Sequence, residues 1–222
     1  MRLVAETVSV ERGEDLIVAG VSFVVSSGQA LIVTGPNGSG KSSLLRAMAG
    51  LIELRTGSIV LDQAPEDFRD TPFSNCVHFL GHENAMKPQM TVAENLDFWQ
   101  RFCGHPECEV DEALEFVGLS GLDDVPFAHL STGQRRRASI ARLLVSARPV
   151  WLLDEPTAGL DAASERQFAG LMESHLENGG IIVAATHVPL HLDQTQVLDL
   201  GPYSARAILE QAQADTSGQS GP

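Results

Sequence analysis

The run GPNGSGKSS at residues 35–43 gathers the residue types that a bound phosphate asks of a backbone. It follows the apolar stretch ALIVT at 30–34 and opens onto SSLLRAM at 42–48, which has helical patterning. Strand, glycine-rich turn and helix in that order make a phosphate-binding loop. Gly35, Gly38 and Gly40 let the chain curl so that successive N–H groups point inward, and Pro36, Asn37, Ser39 and Ser43 complete the curl. The helix N-terminus behind them adds partial positive charge. Lys41 would reach the β- and γ-phosphates of a nucleoside triphosphate, and the Ser42 hydroxyl would take one position around Mg²⁺.

Further chemistry lies downstream. Residues 150–153 (VWLL) are apolar on both faces, as a central parallel strand should be, and end in Asp154 and Glu155. Successive strand residues point to opposite sides, so the two carboxylates divide the work. Asp154 goes to the Mg²⁺ shell through a water, Glu155 to the water that attacks the phosphate. A third apolar run, 181–186, ends beside His187, whose neutral imidazole could bond a γ-phosphate or orient that water. In open α/β sheets ligands sit at the carboxyl ends of strands, and all three groups fall at such ends. LSTGQ at 130–134 precedes another helix and offers hydroxyls, a glycine and free N–H groups, a second anion-receptive terminus. An ordinary N-cap accounts for Ser131 or Thr132 taken singly, but one phosphate loop does not need two such sites for the same nucleotide.

The elements that position these groups follow from hydrophobic period. Short strands are expected at 3–10, 16–18, 21–25, 30–34, 57–61 and 77–80, with a helix from 42 to about 50 and a loop over 62–75. Residues 92–102, 109–117 and 133–146 carry apolar faces of helical period, and Thr91 with Glu94 makes a capping-box start. Strand 150–153, helix 162–177 and strands 181–186 and 197–200 then resume the alternation. The pattern is an α/β sheet with an inserted helical subdomain over about 88–148. Residues 206–222 form a tail, and QAQADTSGQSGP at 211–222 has almost nothing to bury and is expected to be disordered.

Composition narrows the partners. The chain has 222 residues and a formal charge of −14, from 29 acidic and 15 basic residues. That balance argues against broad binding to nucleic acid or anionic lipid, which both need a positive face. The one basic cluster, Arg135 to Arg137, reads as the solvated face of a helix. No uncharged apolar run approaches the roughly 18–20 residues of a membrane span, and the start MRLVAE lacks the apolar block of a secretory signal. The expectation is a cytosolic chain whose membrane role comes through a partner. Three cysteines exclude a full disulfide framework. Cys103 and Cys108 flank GHPE like a metal half-site, but no matching pair exists, and a loop with free thiols is expected.

The phosphate loop, LSTGQ, the run WLLDEP, AGLD at 158–161 and His187 together resemble the ATPase subunit of ATP-binding-cassette (ABC) transporters, over about residues 3–202. The resemblance implies a P-loop NTPase core with an N-terminal antiparallel β subdomain and an inserted helical subdomain, one domain over 1–205. It implies ATP and Mg²⁺, and a homodimer in which LSTGQ of one subunit caps the γ-phosphate held by the other. Ser131, Gly133 and Gln134 would make that contact in trans, and Asp161 would couple the two sites. The residues FLGH at 79–82, KPQMTVAENL at 87–96 and the compact length are most similar to the CcmA-type ATPase of bacterial cytochrome c maturation, the haem exporter. That likeness implies membrane-spanning partner subunits, a place on the cytoplasmic side of the inner membrane, and release of a haem-loaded chaperone. The chain itself has no Cys-x-x-Cys-His. Other cassettes, carrying a different cargo or working on ribosomes or DNA, are the alternatives.

Two positions depart from the family pattern. The glutamine usual after the strand at 77–80 is replaced by His82, with Glu83 next. Imidazole is a poor Mg²⁺ ligand, so either His82 acts through a metal-bound water or Glu83 supplies the oxygen. The aromatic residue that usually stacks on adenine, about 29 residues before the loop lysine, is here Arg12, whose guanidinium can stack on a purine.

Overall fold

The computed structural model describes residues 1–208. Two sheets form the chain. Strands β1 (Arg2–Arg12), β2 (Asp15–Ser26) and β4 (Leu54–Asp62) make an antiparallel sheet in the order β2-β1-β4. Strands β3 (Ala30–Thr34), β5 (Val77–Leu80), β6 (Val150–Asp154), β7 (Ile181–Ala185) and β8 (Thr195–Asp199) make a parallel sheet in the order β5-β6-β7-β3-β8. Helix α1 (Lys41–Met48) follows β3. Helices α2 (Val92–Cys103), α3 (Val110–Phe116) and α4 (Thr132–Leu144) come between β5 and β6, and α5 (Ala162–Glu177) joins β6 to β7. Among the described residues, no helix is long and apolar enough to cross a membrane.

Alternation along the central strands builds two cores. On one face Leu31, Val33, Val150, Leu152, Ile181 and Val183 pack with α1 and the antiparallel sheet; on the other Trp151, Leu153, Ile182 and Ala184 pack with α5 and the helical insertion. All five residues of β6 and all five of β7 are buried, so neither strand has a solvent face. A one-residue slip would exchange the faces throughout, and with two distinct cores the register is strongly specified.

The separate strands expected at 16–18 and 21–25 are one strand, β2. Gly20, at φ +72°, absorbs the irregularity between them, and the pairing with β1 shifts register there without breaking. β1 carries a matching bulge at Thr7 (φ +46°). A Cβ at Gly57 of β4 would lie 2.4 Å from the Glu6 carbonyl oxygen and 2.6 Å from that of Thr7, so only glycine lets the bulged strand pass. The expected helices hold to within two residues at their ends, and the Thr91–Glu94 capping box forms with both hydrogen bonds. Loop 62–75 contains two short 3₁₀ turns, Glu66–Phe68 and Phe73–Cys76. Residues 205–208 form a helical turn started by Ser204; the remainder of the expected tail, from 209, lies outside the described residues.

Two histidines are part of the packing. His78 of β5 is buried and its Nε2 donates to the Ser146 carbonyl at 2.7 Å. The His175 ring stacks on Trp151, with centroids 4.0 Å apart. Burial pushes the His78 imidazole down to about 3, helped by the nearby Arg142 and Arg148 charges and opposed by the Ser146 bond; burial pushes His175 down to about 4. Both rings are neutral when folded, whereas the unfolded chain takes up protons below the ordinary value of 6.5. Their contribution is whole above that value and lost as pH falls toward 4 and 3, by about 1.4 kcal/mol per histidine per pH unit. The urea midpoint is therefore expected to be lower at about pH 5.5 than at about pH 7.5. His175→Phe, which keeps a ring against Trp151 and removes the proton, is expected to make that fall shallower. Equal midpoints at the two pH values would contradict neutral burial.

Candidate functional site

The parallel order β6-β7-β3 sets three chain turns side by side at the carboxyl ends of the central strands. After β3 the loop curls with positive φ at Gly35, Gly38 and Gly40, and the last of these is the N-cap of α1. Neither a capping side chain nor an acid occupies this terminus, which leaves the first-turn N–H groups and their partial charge facing the loop. The Lys41 ammonium donates to the carbonyls of Gly35 (2.8 Å) and Pro36 (3.2 Å), spanning the curl. Ser39 Oγ is buried, with no hydrogen-bond partner among the described residues. An orphaned hydroxyl costs about 1–3 kcal/mol, which an anionic oxygen in the curl would offset. The loop thus fits a phosphate.

Ser42 Oγ donates to Asp154 Oδ1 at 3.0 Å, so the two candidate metal-binding groups already meet across α1 and β6. Both offer oxygen, the donor Mg²⁺ prefers. Among the described residues no cluster of three His, Cys, Asp or Glu could cage a metal, so further ligands here would come from phosphate and water. Those residues fit a magnesium ion bound together with a nucleotide.

Asp154 is buried, while Glu155 sits just beyond the strand, with its side chain 37% exposed. The two acids do separate, but strand alternation is not the cause. Glu155 adopts φ +45°, a left-handed conformation rare for a residue with a side chain and costing about 1–3 kcal/mol. Its N–H donates to the Ala185 carbonyl at 2.8 Å, tying the turn to the end of β7. Two residues further on, His187 Nε2 lies 3.8 Å from Glu155 Oε1. A carboxylate and an imidazole at that separation can share one water between them.

Ser131 is the N-cap of α4 in a reciprocal capping box: Gln134 N–H donates to Ser131 Oγ (3.3 Å), and Ser131 N–H donates to Gln134 Oε1 (2.8 Å). The Ser131 hydroxyl accepts in this box, so its own proton remains available for another acceptor. Ser131 and Thr132 are exposed. A Cβ on Gly133 would lie 3.5 Å from the Gly159 carbonyl, which sets this segment against the turn leading to Asp161. Asp161 caps α5 by accepting from Ser164 N–H at 2.8 Å, and that bond holds its carboxyl below the ordinary value.

Beside the phosphate loop lies a cleft of about 460 Å³, bounded by 36–39, Leu16, Ile17, Gly201 and 204–207. Ser131, Gly133, Gln134, Asp161 and Arg12 do not line it. Arg12 is exposed at the end of β1, paired in register with Asp15. His82 and Glu83 are exposed just past β5.

Two features escaped the sequence reading. The C-terminal wall of the cleft follows a glycine and a proline that carry no functional signal. The arginines at 135–137 are also not a solvated helix face. Arg136 is 5% exposed, Arg137 Nη1 donates to the carbonyls of Val117 and Gly118 at 2.9 Å, and Arg135 donates to the Ala128 carbonyl. Carbonyls left over at the C-terminus of α3 and at strand ends need donors, and this helix supplies them. The spacing 136, 140, 143 on one helical face was the available clue, since Ile140 and Leu143 are core residues.

A family model described as ABC transporter matches residues 18–158, more than half of the chain. The chain belongs to the ABC transporter family. It is 55% identical over 197 residues to the cytochrome c biogenesis ATP-binding export protein CcmA of Mesorhizobium japonicum, covering 89% of this chain and 97% of that one. That likeness makes it a member of the same group of the family. The fold is also that of a putative ABC transporter ATP-binding protein from Pyrococcus furiosus (TM-score 0.75, 22% identity, 92% of this chain and 100% of that one). It is likewise that of an ATP-binding cassette solved as a post-hydrolysis dimer with ADP and phosphate (TM-score 0.70, 24% identity, 84% and 88% covered). The chain is accordingly an ATP-binding subunit and an ATPase of the ABC type.

Gly40 ties this site to the fold. A Cβ there would lie 2.3 Å from Val18 Cγ2 and 2.9 Å from Ile17 Cγ2, at φ +98°. Gly40→Ala is expected to destabilise the protein by about 2 kcal/mol or more and weaken ATP binding about tenfold or more. Urea unfolding and calorimetric ATP titration check this; an unchanged ATP affinity would show that the curl does not depend on β2.

Proposed function

We propose that two copies of this chain close head to tail around two ATP molecules and hydrolyse them, powering the membrane subunits of a cytochrome c maturation complex. The observation that carries the reading is the meeting of phosphate loop, Ser42–Asp154 pair and Glu155–His187 pair at three neighbouring strand ends. Ser131 supports the dimer, because its hydroxyl proton and the first-turn N–H groups of α4 suit a γ-phosphate held by the partner.

In this mechanism Lys41 and the α1 terminus bind the β- and γ-phosphates, and Ser42 and Asp154 would hold Mg²⁺. When bound, the ion neutralises charge on the phosphate oxygens. Glu155 accepts a proton from the attacking water while His187 orients that water in line with the bond to be broken. The γ-phosphate bridges two anion-binding helix termini, so its loss removes the main attraction between subunits, and the dimer opens. Asp161 couples the two sites across the interface. His82 or Glu83 would serve the metal and follow the partner subunits, whose motion the helical insertion and the 82–89 segment would transmit.

The name of the Mesorhizobium relative, together with identity over most of both chains, supports the cytochrome c assignment. The complex would release haem-loaded chaperone at the outer face, with this subunit on the cytoplasmic side of the bacterial inner membrane.

Glu155→Gln keeps the shape of the site and removes the base. It is expected to cut ATP hydrolysis by about a hundredfold or more and to accumulate ATP-bound dimers in size-exclusion chromatography. Wild-type turnover in that variant would sink the reading.

A further inference from the structure

Arg136 is a buried cation whose hydrogen-bond partners are all backbone carbonyls. Its Nη1 donates to Gly81 at 2.8 Å. Its Nη2 donates to Glu155 at 2.8 Å, with Pro156 at 3.1 Å and Asp154 at 3.4 Å also in reach, and Nε donates to Pro156 at 3.2 Å. The side chain is 5% exposed, so it contributes nothing at the surface. Burial alone would disfavour the charge, and the nearby Asp154 carboxylate favours it.

The carbonyls belong to two separate turns. Gly81 follows β5 and immediately precedes His82; Glu155 and Pro156 follow β6. Arg136 itself stands on α4, five positions after Ser131 and about 7–8 Å further along the helix axis. A guanidinium is planar, with five N–H donors in a fixed fork, so satisfying both turns at once fixes their positions relative to the helix. A lysine ammonium is a point donor without that fixed fork, so it does not hold the two turns in one geometry.

The grip falls on the strained residue. Glu155 is held at φ +45°. Its N–H is tied to Ala185 at the end of β7, and its carbonyl is tied to Arg136. These two bonds orient the peptides on either side of its Cα, and therefore the direction of its side chain toward His187. Moving α4 moves Arg136, and Arg136 moves the carbonyl side of Glu155.

We propose that Arg136 is a positioning residue for Glu155, linking the α4 terminus that meets a nucleotide held by the partner subunit to the carboxylate serving this subunit's own nucleotide. The proposal rests on the dimeric reading above. It gives the two sites a direct connection inside each chain: closure on one ATP sets the base for the other. Through Gly81 the same guanidinium carries the movement to the 82–89 segment.

The test uses the full-length chain with Arg136→Lys, since Arg136→Ala would leave several buried carbonyls unpaired and could fail to fold. The expected result is a kcat for ATP hydrolysis about tenfold lower or more, with KM for ATP within about threefold of wild type. In the Glu155→Gln background, ATP-driven dimer formation should survive the added Arg136→Lys change. Wild-type kcat in the lysine variant would overturn the proposal. So would a loss of kcat matched by lost ATP-driven dimers and a collapsed melting temperature, because that pattern marks a purely structural arginine. Failure of Glu155→Gln alone to dimerise with ATP would instead contradict the dimeric reading, while the split between kcat and KM would still judge Arg136.

Discussion

Burial of β6 and β7 on both faces is the constraint from which the site follows. Each strand is inserted between two cores, and a Val, Leu or Ile fully removed from water contributes about 1.5–3 kcal/mol. With every residue of both strands buried, neither can slide or twist away from its neighbours. The turns after β3, β6 and β7 are therefore fixed in place, although all three are irregular. A left-handed Glu155, at a cost of about 1–3 kcal/mol, persists because the flanking strands over-determine it. So does an uncapped α1 terminus beside a lysine folded onto its own loop.

The same logic explains what could be read without coordinates. The phosphate loop, the strand ending in Asp154 and the helix at 162–177 depend on local spacing, and each lies where the pattern put it. Strand β2 was read as two pieces because a glycine at φ +72° interrupts the apolar alternation locally, while the tertiary pairing with β1 continues across it. The Arg135–Arg137 cluster was read as solvated because charge usually seeks water. What reverses that expectation is the supply of unpaired carbonyls from α3, β5 and β6, and these are distant in sequence. Strand alternation stops one residue before Glu155, and the turn that carries Glu155 is bonded on both sides, to Ala185 and to Arg136.

Arg12 and His82 do not line the cleft beside the phosphate loop. Both are exposed, Arg12 at the end of β1 and His82 just past β5. That cleft is walled by Leu16, Ile17 and the turn after Ser204, with about 460 Å³ between them.

One chain holds a complete phosphate-binding curl and, on another helix, an exposed terminus with a hydroxyl proton to spare. In the proposed dimer these two belong to one nucleotide but to two polypeptides. The direct test mixes two differently tagged copies, one Asn37→Cys and one Ser131→Cys, both with Glu155→Gln and with Cys76, Cys103 and Cys108 replaced by serine. A short bismaleimide should join the two tags when ATP is present and leave them separate in its absence. Failure of the tags to join with ATP, or joining that ignores nucleotide, would contradict the account.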